Sequence, residues 1–192
     1  MVTAYLAFLA LLAAERLYEL RLARRHAAAA FARGGVEVGR RHFAVMRILH
    51  AGFLAACAAE VVLLGRPFVP ALGAPMLALA LAAQGLRYWA IAALGPQWNV
   101  RVIVVPGAPV VTAGPYRWIR HPNYLAVVVE GVAVPLIHSA YWTALGFSLA
   151  NAALLAVRIR CEERALAEHC EGGARLARRP RFVPARAGTE GR

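Results

Sequence analysis

Apolar residues fill five long stretches of the chain, at roughly 2–20, 43–64, 71–94, 124–138 and 139–159. These stretches show no strand-like alternation of apolar and polar positions. A membrane-spanning helix needs about 20 mostly apolar residues, and a helix satisfies its own backbone polar groups in lipid. The pattern therefore predicts an all-α fold, an integral membrane bundle of about five transmembrane helices.

The last two stretches are separated only by "PLIHSAYW", which predicts a tight helical hairpin with a short fourth span. The first stretch has neither a basic n-region nor a small-residue cleavage site, so we expect a retained span and not a signal peptide. Residues 95–123 form the one long stretch without helical character, because Gly-Pro and Pro-Gly pairs interrupt it. A loop of this length in a compact protein is usually functional.

The composition supports the membrane class. Hydrophobic residues make up 60% of the 192 residues and charged residues 17%, with a mean hydropathy of +0.54. A soluble domain of this size lacks the interior volume to bury so much apolar surface. We predict a single domain over 1–184 and a disordered tail over 185–192. The three cysteines predict neither a disulfide framework nor a metal site, because their spacing fits neither.

The formal net charge of +12 comes from 22 arginines, with no lysine and no aspartate in the chain. Arginines cluster in the loop after the first stretch, in the loop before the fourth and in a basic tail from Arg158 onward, whereas the connection between the second and third has only Arg66. Because basic loops stay in the cytoplasm, we expect the N-terminus outside and the C-terminus inside, in the cell inner membrane. The charge then reports topology and argues against a nucleic-acid partner.

Several ionisable residues lie within or beside the apolar stretches, where such residues mark functional sites by default. Glu130 lies in the middle of the fourth stretch and either meets a substrate or makes a structural hydrogen bond. Glu15, Arg16 and Glu19 have i,i+3 and i,i+4 spacings, which predict a mutually compensated patch at the membrane surface. Arg47 and Arg87 could reach the inner surface by extending their side chains.

Two polar segments flank the last hairpin, "RWIRHPNY" before it and "VRIRCEERAL" at its far end. Pro122 suits the first turn of a helix, and the free N–H groups beside His121 can hold a carboxylate there. Glu162 and Glu163 are adjacent and point in different directions, so one can face a pocket while the other meets arginine. The glutamates are either a solvated helix end or part of one site with the Arg-His-Pro segment.

"GPYRWIRHPNY" followed by "RIRCEERAL" resembles the isoprenylcysteine carboxyl methyltransferase family. The resemblance covers roughly 84–184, including the lead-in "WNVRVIVVPGAPVVTAGPY" and the closing "RPRFVP". The first two spans, with "ERLYEL" and "RHFAVMRILH", look like the bacterial branch that is often associated with type III polyketide synthases. Members of that branch O-methylate long-chain alkylpyrones or alkylresorcinols. The sequence departs from the family after Leu166, where "AEHCEGGARLARRP" replaces the usual Phe-Gly and spaced tyrosines.

The resemblance implies an S-adenosylmethionine-dependent methyltransferase with a cytoplasmic cofactor pocket that the C-terminal segment closes. Its lipophilic small-molecule substrate would enter from the bilayer, in contact with membrane lipids, and a type III polyketide synthase is a possible pathway neighbour. Carried over by position, the cofactor-binding residues are His121, Pro122, Tyr124, Tyr116, Val102, Val104 and Glu163. The catalytic residues are Arg120, Glu162 and Glu130. Arg120 would hold the anionic acceptor oxygen, and either glutamate would serve as base for a less acidic acceptor.

The substrate and the reaction class leave alternatives open. An alkylpyrone, an alkylresorcinol and a lipid-tailed carboxylate such as prenylcysteine all fit the residues. An NADPH-dependent membrane reductase of similar architecture is a second enzymatic hypothesis. A non-enzymatic membrane transporter or scaffold, with Glu60, Arg87 and Glu130 as a polar path, is a third.

Overall fold

A computed structural model describes residues 1–176 and 178–183. Five helices account for most of the chain: α1 Val2–Ala32, α2 Arg40–Leu63, α3 Pro70–Leu94, α4 Pro122–Leu136 and α5 Tyr141–His169. A four-residue helix, α6 (Gly173–Leu176), follows α5. Two short strands, β1 (Val36–Val38) and β2 (Val102–Val104), form an antiparallel pair. The predicted tail over 185–192 lies outside the described residues.

Among the residues that the structure describes, three helical segments are long and apolar enough to cross a membrane: Arg40–Leu63, Pro70–Gln97 and Tyr141–His169. Helix α4 is a shorter apolar helix. Large apolar side chains on these helices face outward; Leu63 is 79% exposed and Leu149 is 65% exposed. Lipid covers such a surface, whereas a soluble monomer rarely exposes one. The chain is therefore a mostly helical membrane protein, while the count of five spans and their orientation stay predictions.

Small residues let the helices of the hairpin approach closely. A side chain added at Gly131 of α4 would lie 2.6 Å from the ring of Phe147 on α5. That ring also packs on Phe53 of α2, with 4.1 Å between ring centroids. Small residues at helix contacts are the usual means of packing helices in lipid, where no hydrophobic effect drives their association. This core fixes α4 between α3 and α5. The N-terminus of α4 lies at the end of the bundle that carries the long loop, residues 95–121.

Two helices extend beyond their apolar stretches. Helix α1 continues through "RLARRHAAAAFA" to Ala32, and α5 continues through "RIRCEERALAEH" to His169. Alanine, arginine and glutamate are good helix formers, so propensity carries both helices on after the apolar pattern ends. The extensions bring the polar ends of α1 and α5 to the region of residues 95–121.

The strand pair was not anticipated from the sequence. Val36 pairs with Val104 and Val38 with Val102, so the connection after α1 is joined to the long loop. An ion pair between Arg101 and Glu37, 3.2 Å apart, supports the same junction. Three-residue strands are too short to show a period in sequence. Their effect is to hold the loop over the end of the helical bundle.

At the opposite end of the bundle, Glu60 of α2 caps the start of α5. Its carboxylate accepts hydrogen bonds from the backbone N–H of Thr143 (2.7 Å) and of Trp142 (3.2 Å). Arg66 lies 2.9 Å from the same carboxylate. Negative charge at a helix N-terminus satisfies free N–H groups and interacts favourably with the helix dipole. Glu60 therefore joins α2 to the last hairpin, and its part in a polar path stays untested.

Glu60→Gln is expected to destabilise the bundle by about 2 kcal/mol, because it removes the charge from several hydrogen bonds and from the ion pair. Thermal unfolding of the purified protein in detergent measures the loss as a lower midpoint. Glu168→Gln is the matched control, because Glu168 is exposed on α5. Equal midpoints for the two variants would contradict the capping role.

Candidate functional site

Residues 95–121 are held in place by α1. His26 Nδ1 lies 2.8 Å from the carbonyl oxygen of Trp98, within hydrogen-bond distance. Asn99 Nδ2 donates to the carbonyl oxygen of Ala23 at 2.8 Å. These bonds come from the polar extension of α1, beyond its apolar stretch. The loop is consequently a fixed wall and not a free connection.

Arg158 of α5 fastens the same loop from the other side. Its side chain is 3% exposed, and Nη2 donates to the carbonyl oxygen of Val100 at 2.5 Å. Its Nε donates to the hydroxyl of Tyr124 at 2.8 Å. Tyr124 in turn donates to Glu162, which lies one helical turn beyond Arg158. The sequence predicted that Arg158 belongs to the basic cytoplasmic tail. Its guanidinium instead lies inside the protein, where it connects α5 to α4 and to the loop.

The carboxylate of Glu163 is the centre of a second set of contacts. Oε1 lies 2.7 Å from Arg120 Nη1 and 3.0 Å from His121 Nε2. Oε2 lies 2.7 Å from Arg181 Nη2, and Arg181 Nε also donates to Oε1 at 3.0 Å. Three cationic or titratable side chains thus share one carboxylate. We call Arg120, His121, Glu163 and Arg181 the Glu163 cluster.

The C-terminal segment is attached to the same place through its backbone. The N–H of Arg120 donates to the carbonyl of Pro180 at 2.9 Å, and the N–H of His121 donates to that of Arg181 at 3.1 Å. Arg179 Nη1 donates to the carbonyl of Tyr116 at 2.5 Å. Residues 179–181 therefore contact the Arg-His-Pro segment and the residues just before it.

The two adjacent glutamates have different surroundings. Glu162 lines a cavity, whereas Glu163 faces the arginines at its edge. His121 stacks on Tyr124 with 5.3 Å between ring centroids, and His121 Nδ1 is 3.9 Å from Glu162 Oε1. The sequence predicted that one glutamate could face a pocket while the other met arginine, without deciding which. The structure places Glu162 on the cavity side.

The cavity has a volume of about 820 Å³ and lies between the long loop and helices α1 to α5. Eight of the ten predicted site residues line it: Arg120, His121, Tyr124, Tyr116, Val102, Val104, Glu130 and Glu162. Pro122 and Glu163 do not. Pro122 is buried at the first turn of α4, and Glu163 acts through Arg120 and His121. The functional roles of all ten stay predictions.

Tyr116 cannot serve as a base in this cavity. It is 6% exposed, and burial raises the pKa of its phenol, with a smaller contribution from the Glu162 carboxylate. A phenol whose pKa is raised above its usual value near 10 keeps its proton at neutral pH. Tyr116 therefore lines the cavity with its phenol protonated.

Glu130 is paired with Arg87. Arg87 Nη2 is 2.5 Å from Glu130 Oε2, and Nε donates to Oε1 at 3.1 Å. Arg16 of α1 lies 3.7 Å from the same carboxylate. The expectation that Arg87 extends to the inner surface was wrong: it is 6% exposed and lines the cavity. The pairing of residues 43 positions apart left no local signal in the sequence.

Sequence reasoning also missed Trp98 and Arg181 as parts of the site. Trp98 is 2% exposed, lines the cavity, and its Nε1 has no hydrogen-bond partner among the residues that the structure describes. Arg181 lies in the "RPRFVP" segment, which the sequence identified as part of the family resemblance without predicting a role for Arg181. Within 1–176 and 178–183, no group of His, Cys or Glu side chains has a metal-binding arrangement.

Residues 76–168 match the isoprenylcysteine carboxyl methyltransferase (ICMT) family. The "Uncharacterized protein YpbQ" of Bacillus subtilis is 40% identical over 162 residues, which is 84% of this chain and 95% of that protein. An "Uncharacterized protein" of Haemophilus influenzae is 30% identical over 156 residues, 80% of this chain and 89% of the relative.

The chain belongs to the isoprenylcysteine carboxyl methyltransferase family, which confirms the resemblance inferred from its motifs. The family places it among membrane methyltransferases. The matched region contains the loop, the Arg-His-Pro segment and both glutamates.

Glu163→Gln is expected to loosen the C-terminal segment, because it removes the charge that holds Arg181. Arg181 is 48% exposed, so the ion pair is screened and contributes about 1 kcal/mol. Cleavage after Arg181 by trypsin is then expected to be about fivefold faster, since proteolysis follows local opening. Glu168→Gln is again the control, and equal cleavage rates would show that Glu163 does not hold the segment.

Proposed function

We propose that this protein is an integral membrane S-adenosylmethionine-dependent O-methyltransferase that acts on a lipophilic acceptor. The observation that carries the proposal is the shared cavity of Arg120, His121, Tyr124 and Glu162, from two segments about 40 residues apart. The cofactor would enter from the cytoplasmic side, where the long loop and the arginine-rich ends lie. The acceptor would enter between the apolar helices from the inner membrane.

The cavity residues fit the cofactor. The volume of the cavity, about 820 Å³, lies within the range of small-molecule sites, which is about 300–1,000 Å³. Trp98 Nε1 is a buried donor without a partner among the described residues, and Asn123 Oδ1 is a buried acceptor without a partner among them. A ligand with a carboxylate, an ammonium group and a nitrogen heterocycle supplies matching groups. The aromatic ring of Tyr124 and the carboxylate of Glu162 favour a nearby sulfonium cation.

Arg120 is the residue that would hold the acceptor oxygen. Its Nη1 is bound to Glu163, which fixes the guanidinium, while its Nε is left without a partner in the described part of the chain. A guanidinium stays cationic at any physiological pH, so it stabilises an oxyanion without giving up a proton. The bound cofactor supplies the electrophilic methyl group. The protein contributes position and charge, which suffice for an acceptor that is already anionic.

A less acidic acceptor, such as a resorcinol hydroxyl, would need a base. Glu162 lies on the cavity wall near His121, whereas Glu130 is nine residues after His121 on α4. At a rise of 1.5 Å per residue, that places Glu130 about 13 Å further along the helix. Of the two proposed bases, Glu162 is therefore the one at the Arg-His-Pro end of the cavity. The proposed acceptor is an alkylpyrone, an alkylresorcinol or a lipid-tailed carboxylate. A type III polyketide synthase is the proposed pathway neighbour.

Purified protein in detergent is expected to bind S-adenosylhomocysteine in calorimetry, and membranes given labelled S-adenosylmethionine are expected to form a methylated lipid detectable by mass spectrometry. Absence of cofactor binding would overturn the methyltransferase proposal. Oxidation of NADPH with an unsaturated lipid would instead support the reductase, and lipid or solute flux without either reaction would support a transporter.

Arg120→Lys is expected to lower kcat/KM for methyl transfer by about a hundredfold, because lysine keeps the charge and loses the fixed Nε donor. Affinity for S-adenosylhomocysteine, measured by calorimetry, is expected to change less than about threefold if the site stays folded. Arg117→Lys is the matched control, since Arg117 is exposed in the same segment and stacks on Trp118. Equal activity of the two variants would contradict the role of Arg120.

A further inference from the structure

The cavity has a second polar wall, away from the Glu163 cluster. Arg16 and Glu19 of α1, Arg87 of α3 and Glu130 of α4 all line it. Arg16 Nη1 donates to Glu19 Oε2 at 2.7 Å, and Arg87 Nη1 lies 3.9 Å from the same oxygen. Together with the Arg87–Glu130 ion pair, these contacts join three helices. We call these four residues the Glu130 cluster.

The Glu130 cluster and the residues behind it contain hydrogen-bond acceptors that receive no donor from the described part of the chain. Glu15 and Gln84 lie behind it, so three carboxylates face two guanidinium groups. Glu19 is only 6% exposed, and its Oε1 has no hydrogen-bond partner within the described residues. A buried polar atom without a hydrogen-bond partner destabilises the folded protein. An occupant of the cavity that donates a hydrogen bond would recover that free energy.

An apolar stretch of wall separates the two polar ends. Val127 of α4 lines the cavity between His121 and Glu130, and Leu17 and Phe53 line it from α1 and α2. The nine residues from His121 to Glu130 correspond to about 13 Å along the helix. A molecule that bridges the two ends would therefore have a polar head, an apolar middle and a second polar group.

We propose that the Glu130 cluster is a second polar subsite, which binds a hydrogen-bond-donating group, a hydroxyl or an N–H, carried by the lipid acceptor about 13 Å from its reactive oxygen. The identification of the occupant as the acceptor rests on the proposed methyltransferase function. The subsite selects acceptors by a group on the apolar tail, independently of the oxygen that Arg120 holds.

A pair of fatty acids tests this subsite without cofactor. The probe is 12-hydroxyoctadecanoate, which has a carboxylate for Arg120 and a hydroxyl donor at a comparable distance along its chain. Its partner is 12-methoxyoctadecanoate, which cannot donate a hydrogen bond. Binding to the purified full-length protein is measured by competition with the tritiated hydroxy acid. The wild-type protein is expected to bind the hydroxy acid about tenfold more tightly, and equal affinities would overturn the proposal.

Two matched variants locate the subsite. In Glu19→Gln the amide oxygen stays with Arg16 and the NH₂ group faces the cavity, where it donates to an ether oxygen as readily as to a hydroxyl oxygen, so the preference is expected to disappear. Glu15→Gln removes the same charge from the same network one helical turn earlier, but Glu15 does not line the cavity. It is expected to keep the tenfold preference.

Loss of the preference in both variants, or in neither, would overturn the assignment to Glu19. The wild-type comparison decides the proposal even if a variant fails to fold. Calorimetry with S-adenosylhomocysteine is done on the same wild-type sample. A protein that discriminates between the fatty acids without binding S-adenosylhomocysteine would retain the subsite and refute the methyltransferase function.

Discussion

The carboxylate of Glu163 joins three parts of the chain that are far apart in sequence. It contacts Arg120 and His121 before α4, and Arg181 beyond α6, while its own backbone belongs to α5. Each contact is within 3.0 Å, and the Arg120 side chain is only 14% exposed. Removing Glu163 would leave cationic groups together without a counter-charge, which is more costly than the loss of one hydrogen bond. Glu163 therefore joins these parts of the chain by charge, beside the backbone hydrogen bonds that Arg120 and His121 donate to Pro180 and Arg181.

The position of the cavity follows from the two environments of the protein. Apolar helices face lipid, and the long loop, held by α1, α5 and the β1–β2 pair, covers their ends. The Arg-His-Pro segment lies at this junction, because the loop ends where α4 begins. A site at such a junction is accessible both to a water-soluble cofactor and to a lipid-soluble acceptor. The buried Arg87–Glu130 pair deeper in the bundle gives the apolar part of the cavity a second polar contact.

The parts of the fold that the sequence predicted are those with a periodic or local signal. Five apolar stretches became five helices, and Pro122 stands at the first turn of α4 as its fixed backbone angle favours. The adjacency of Glu162 and Glu163 was enough to predict that they face different ways. It was not enough to assign them, because the rotation of α5 depends on packing against α4 and the loop.

Features that depend on contacts between distant residues were not predictable. The β1–β2 pair consists of strands too short for a pattern, and the Arg87–Glu130 pair joins two helices with no motif between them. Arg158 was misinterpreted because positive charge near a helix end usually indicates topology. Its spacing of four residues from Glu162 places both on one face of α5, and that signal could have indicated an internal role.

The most direct test of the account is an experimental structure of the protein with bound S-adenosylhomocysteine. The account predicts ligand density between the β2 segment and the His121–Tyr124–Glu162 wall, with Glu163 still contacting Arg120, His121 and Arg181. Density at another place on the protein, or a cavity that the Arg-His-Pro segment and α5 no longer share, would contradict it.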